Sequence, residues 1–150
     1  MSDKIAKIIP TDPFKKIPAQ SLQKAVDYIK TNIVCLEINA ECNEFPQFVD
    51  CGAYLETIHC PKCGAEIDFG WWGNAMDEAS ESSFQILDVE MPCCKEIASL
   101  NDLKYYYDCG FACSLIEIYN SIPNLEIDQS YINEIQKILG TEVKIIYSRL

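Results

Sequence analysis

The chain has 150 residues, 49% of them hydrophobic and 23% charged, a balance that fits one ordinary folded domain and argues against disorder. A domain of this length buries roughly 70% of the surface its unfolded form exposes, so a metal is not obligatory for a core. Its net charge of −11, from 23 acidic and 12 basic side chains, comes with a single arginine (Arg149) and no basic run, which argues against nucleic acid as a partner, because phosphate backbones are held by counterion-displacing cations.

The segment Met1 to Pro10 lacks the apolar centre and small-residue cleavage site of a secretory signal. No apolar run approaches the roughly 20 residues that cross a bilayer. A cytoplasmic protein without membrane segments is expected. Residues 10–20 hold Pro10, Pro13 and Pro18, and residues 1–20 are expected to form an extended arm ahead of a single domain over 21–150. Ser21 is a candidate N-cap for a helix whose apolar stripe is Leu22, Ala25, Val26 and Ile29. Residues 33–38, 45–50 and 54–59, rich in β-branched and aromatic types and separated by polar residues and glycine, predict three strands. Trp72, Ala75, Met76 and Ala79 share one face of a predicted short helix over 71–79. Residues 83–91 predict a strand whose apolar phase slips between Ile86 and Leu87, as a bulge would allow. Phe111 to Tyr119 is apolar on both faces and predicts a central strand. Tyr131, Ile132, Ile135, Ile138 and Leu139 keep the helical period up to Gly140, which suits a helix C′ position, and Val143, Ile145 and Tyr147 alternate as a last strand. The sum is an α+β fold, a mixed or antiparallel sheet packed against two main helices, with no repeat or linker.

Nine cysteines cannot all pair within one molecule. Without an export signal, metal binding and buried thiols explain them better than disulfides. Cys60-Pro-Lys-Cys63-Gly64 is a C-x-x-C turn closed by glycine, which brings two sulfurs within reach of one tetrahedral ion. Zinc needs four ligands, and Cys93 and Cys94, which follow Pro92 at the end of a predicted strand, supply the second pair. Cys109 and Cys113 are less suited, since four residues of strand span about 13 Å. Cys35, Cys42 and Cys51 read as small buried hydrophobes. A redox pair of the thioredoxin kind and simple packing are the competing readings of the C-x-x-C, and His59 is an alternative ligand, although strand alternation points it away from Cys60. Four thiolates close the coordination sphere, which makes such a zinc structural rather than catalytic, one per chain. Four thiolates and one Zn²⁺ together would take the net charge to −13.

At Cys60-Pro-Lys-Cys63-Gly-Ala-Glu-Ile-Asp, Trp71-Trp72, Pro92-Cys93-Cys94, Ser99-Leu-Asn-Asp-Leu103, Gly110-Phe111-Ala112 and Ile138-Leu-Gly-Thr141 the sequence resembles a family of small, uncharacterised bacterial zinc-ribbon-like proteins, over about two-thirds of its length. That resemblance implies that Cys60, Cys63, Cys93 and Cys94 are the metal cysteines, and it implies no activity. None of the six glycines opens a G-x-x-x-x-G-K-[ST] phosphate loop.

Catalytic inventory is thin, with one histidine and no spacing that pairs it with a nucleophile. Composition therefore predicts an acidic protein-interaction module, stabilised by zinc, with a basic protein as partner. The alternative is a small-molecule binder or enzyme using a pocket near Trp71, Trp72, Asn101, Asp102 and the neighbouring tyrosines. Against that pocket stands a local role, with Ser99 and Asp102 as a turn or relaxed capping box and the aromatics as core.

Overall fold

In the computed structural model, which describes residues 3–120 and 126–149, the longest apolar strands meet in one antiparallel sheet. Its members are β1 (Lys4–Pro10), β2 (Glu37–Val49), β7 (Gly110–Tyr119) and β8 (Val143–Arg149), in the order β2-β7-β1-β8. Ile8 lies opposite Ile116 on one side and Ile145 on the other, so β1 and β7 are inner strands. Alternation sends neighbouring side chains of β1 to opposite faces, and both faces are covered. Ala6 and Ile8, with Ile116, Ile118 and Val143, pack against Leu22, Ala25 and Ile29 of α1 (Ala19–Asn32) and Ile135 and Leu139 of α3 (Gln129–Leu139). Ile9, with Phe111 and Ile146, faces the other way, into a second core.

That second core belongs to the long excursion between β2 and β7. It contains β3 (Thr57–His59), α2 (Phe69–Glu81), β4 (Asp88–Glu90), β5 (Ile97–Ser99), a single 3₁₀ turn over Leu100–Asp102 and β6 (Lys104–Tyr106). Two small antiparallel sheets, β3-β6 and β4-β5, frame it. Ile58, Ile67, Ala75, Ala79, Met91 and Leu100 pack there against Phe111. The architecture is thus α+β with antiparallel sheets, and three α-helices occur among the described residues: α1 and α3 on one face of the main sheet, α2 on the other.

Several expectations are corrected. Residues 4–10, expected to lie in an extended arm, are an inner strand, because Lys-Ile-Ala-Lys-Ile-Ile-Pro is buried on both faces and shows no alternation to read. Helix α1 begins at Ala19 rather than after Ser21. Pro18 (φ −57°, ψ 145°) occupies the N-cap, and its carbonyl accepts from Leu22 N at 3.0 Å, so no side chain caps the helix. Of the strand expected at 33–38 only Glu37 and Ile38 belong to a strand, and they join the one expected at 45–50 in a single strand, β2, whose register shifts between Cys42 and Gln47; a bulge there lets a continuous strand absorb the polar break. The strand expected over 83–91 shrinks to Asp88–Glu90, since Ser83 and Phe84 take left-handed conformations (φ 56° and 58°) that close a turn after α2. Gly140, at φ 70°, ends α3 as its C-cap.

Candidate metal centre

Cys60 follows β3 directly. The turn after it is set by hydrogen bonds: Gly64 N donates to Cys60 O at 2.9 Å, Cys60 N to Ala65 O at 2.8 Å and Lys62 N to Cys60 Sγ at 3.3 Å. Such a turn needs a left-handed residue after the second cysteine, and Gly64, at φ 80°, supplies it without steric cost. Across the core, β4 leads into an equivalent turn. Lys95 N donates to Met91 O at 3.0 Å, Met91 N to Glu96 O at 2.8 Å, and Lys95 takes φ 66°.

The two hairpins are one motif used twice. Met91 stands where Cys60 does, Pro92 where Pro61 does, Cys94 where Cys63 does and Lys95 where Gly64 does. Each hairpin also runs into a helical turn capped by the side chain at the equivalent position, Asp68 accepting from Trp71 N at 3.2 Å and Ser99 from Asn101 N at 3.1 Å. The sequence hides this repeat, because the second copy carries Met91 at the first cysteine position and takes its extra thiol from Cys93, at the position of Lys62.

The hairpins bring Cys60, Cys63, Cys93 and Cys94 together, all four Sγ atoms within 4.8 Å of one another. Cys63 and Cys93 are 3.3 Å apart and Cys60 and Cys94 3.8 Å apart. A tetrahedral ion with arms of about 2.3 Å separates its sulfurs by about 3.8 Å, so the cluster has the dimensions of a four-thiolate metal site. Cys60 and Met91 are fully buried, whereas Cys63 and Cys93 are exposed, so the site is anchored in the core on one side and open to solvent on the other.

The thiols are electrostatically unequal. Burial opposes ionisation of Cys60, but hydrogen bonds from the Cys63 and Lys62 backbone N–H groups, and from the Cys93 and Cys63 thiols, outweigh it and bring its thiol down to about 7. Although Cys93 lies on the open side of the site, partial desolvation among its packed neighbours and the Cys63 and Cys60 sulfurs push it up to about 12. At Cys94 a backbone hydrogen bond at Glu96 favours the thiolate, yet burial and the Cys60 and Cys63 sulfurs together raise it. One thiolate in the cluster therefore suppresses its neighbours until a cation compensates the charge.

Among the other cysteines expected to be buried, Cys51 is, whereas Cys35 is half-buried and Cys42, on the edge strand β2, is exposed and accepts from the Ser114 hydroxyl at 3.4 Å; Cys113 is buried in β7. His59 lies outside the cluster, its Nδ1 3.1 Å from Gly64 O, to which it donates, and its ring edge-on to Tyr106. Three of the aromatic and polar residues singled out in the sequence, Trp72, Tyr105 and Asn101, use their side-chain hydrogen bonds within the core. Trp72 Nε1 donates to Tyr105 Oη at 3.2 Å, Tyr105 Oη to Leu100 O at 2.7 Å, and Asn101 Oδ1 accepts from Phe111 N at 2.9 Å. Asp102 lines a shallow cavity of about 400 Å³ with Pro61, Lys62 and Ile97. A second cavity, of about 420 Å³, lies along β8 beside Tyr54 and Tyr107. No helix among the described residues is long and apolar enough to cross a membrane. Compared with models of known protein families, with curated proteins and with solved structures, the chain finds no match.

Proposed function

We propose that Cys60, Cys63, Cys93 and Cys94 bind one structural Zn²⁺ per chain in a zinc-ribbon-like centre, and that the metal-stabilised excursion belongs to an acidic protein-interaction module that docks a basic protein. The observation that carries the metal reading is the approach of four sulfurs from two hairpins to within 4.8 Å. Softness of the donors selects zinc over calcium or magnesium, which prefer oxygen. The paired hairpins support the likeness to zinc-ribbon-like bacterial proteins. Three features favour a structural role: four thiolates leave no coordination position for water, two of them arise from the packed side of the fold, and His59 is turned to Gly64.

The interaction reading rests on the charge of −11, made more negative by a thiolate-bound zinc. In a cytoplasmic setting such a surface attracts lysine- and arginine-rich partners through a field that salt screens within about 8–10 Å. Affinity capture on the metal-loaded protein at low and high ionic strength tests this. A basic protein retained at low salt and released at high salt is expected, and a capture that yields no salt-sensitive basic partner removes the proposal's support. Metal content is measured separately, so the two halves of the reading fail independently.

A further inference from the structure

Residues 50–109 leave the main sheet at the end of β2 and re-enter it at the start of β7, where Val49 lies opposite Gly110. Just beyond that last register pair, at the neck of the metal-bearing excursion, two further cysteines meet. Cys109 Sγ lies 3.4 Å from Cys51 Sγ, and both residues are fully buried. Both thiols also approach Tyr107 O, at 3.3 Å from Cys51 and 3.6 Å from Cys109. Neither takes part in the four-cysteine cluster, and the other thiols near the sheet, Cys42 and Cys113, contact Ser114 and the Glu44 carbonyl instead.

We propose that Cys51 and Cys109 form a dithiol clasp that closes to a disulfide under peroxide and locks the neck of the excursion. A disulfide bond measures about 2.05 Å, so the two sulfurs must approach by about 1.3 Å, within reach of small side-chain rotations. The chemistry balances with hydrogen peroxide as oxidant. One sulfur attacks a peroxide oxygen, the O–O bond breaks, and sulfenic acid and one water result. The second sulfur then attacks the first, the S–S bond forms, the S–O bond breaks and a second water leaves. In sum two thiols lose two protons and two electrons, and the peroxide is reduced to two waters.

Burial pushes the Cys109 thiol up, as do the Cys51 sulfur beside it and the Asp50 carboxylate, so the thiolate is scarce and closure is slow. The clasp thus answers prolonged rather than brief oxidation. Because it ties both ends of a long chain segment, it restricts the unfolded ensemble as a long-loop disulfide does. It does so without any metal, which makes the inference independent of the zinc reading.

The test uses the full wild-type chain, carrying whatever metal it is purified with, held for hours with one to a few equivalents of hydrogen peroxide as in any titration of about this stoichiometry. Free thiols are then blocked under denaturing conditions, and unreduced peptides are mapped by mass spectrometry. A Cys51–Cys109 cross-link is expected, with the loss of those two thiols whatever happens at the cluster, and a rise in Tm of about 5 °C or more over the same oxidised chain carrying Cys109→Ala that a dithiol reductant reverses. Cys51 and Cys109 still fully alkylated, or a cross-link that leaves Tm unchanged, would overturn the proposal. So would oxidation confined to Cys63 and Cys93. Cys109→Ala should abolish both the thiol loss and the shift; the wild-type mapping decides the matter even where that variant folds poorly.

Discussion

Replacing Cys60 by serine removes the one ligand of the cluster that is fully buried. Structural zinc in finger peptides is bound with about 10–16 kcal/mol, so one ligand in four carries about 3 kcal/mol, and the variant should bind zinc about 10²–10³-fold more weakly. Loss of the ion need not unfold the chain, because Ile8, Ile29, Ile116 and Ile135 form a core on the far face of the sheet that does not touch the cluster. Amide exchange should reveal this division. Protection should fall at Gly64, Met91 and Lys95, whose N–H groups close the two turns, and persist at Ile8 and Ile116 in the inner strands. Competition against a chromophoric chelator gives the affinity, and Cys113→Ser, which alters a buried thiol outside the cluster, is the control. If Cys60→Ser binds zinc within a few-fold of wild type, or if exchange rises equally throughout the main sheet, the division of the fold into a metal-dependent and a metal-independent half is wrong.

Metal affinity should climb steeply with pH. Cys93 and Cys94 have raised pKa values in the metal-free protein and must lose their protons to bind, so at least two protons are released near neutrality and the association constant should rise by about 100-fold or more per pH unit; a slope clearly below two protons would contradict this. Lys95→Gly should stabilise the metal-loaded protein by about 0.5–1 kcal/mol in denaturant unfolding, since it relieves a left-handed φ of 66°, while Gly64→Val should weaken metal binding by forcing a β-branched residue to φ 80°. Met91→Ala, a truncation at a fully buried site, should cost about 2–5 kcal/mol without changing metal stoichiometry, as read by urea midpoint and elemental analysis together. Asn101→Ala strands the buried N–H of Phe111 and should cost about 1–3 kcal/mol.

Helices α1 and α3 were legible because their stripes face one core only, so the period of Leu22, Ala25, Val26 and Ile29, and of Ile135 and Leu139, survives in the sequence. Strand β7 was legible for the opposite reason: an apolar run without alternation marks a strand buried on both faces. The same argument would have found β1, but its lysines and nearby prolines mask a strand whose Lys7 is buried through its ion pair with Asp50, at 3.2 Å. Three-residue strands such as β4, β5 and β6 carry too few positions to show a period, and only pairing across the core defines them.

Turn chemistry made the first cysteine hairpin readable, since Pro61 and Gly64 frame it. Its twin was visible only as a Pro-Cys-Cys step. Lys95 does the work of a glycine there, and Cys93 replaces the thiol that Met91 lacks. Contact between Cys51 and Cys109 could not be read at all, because it depends on the register of β2 against β7 across an excursion of more than fifty residues.

X-ray absorption at the zinc edge, on protein purified without chelators, tests the central claim most directly. One zinc per chain with four sulfurs at about 2.3 Å is the expected result. A chain that carries no transition metal, or a shell containing nitrogen or oxygen in place of a sulfur, would contradict a centre built from Cys60, Cys63, Cys93 and Cys94.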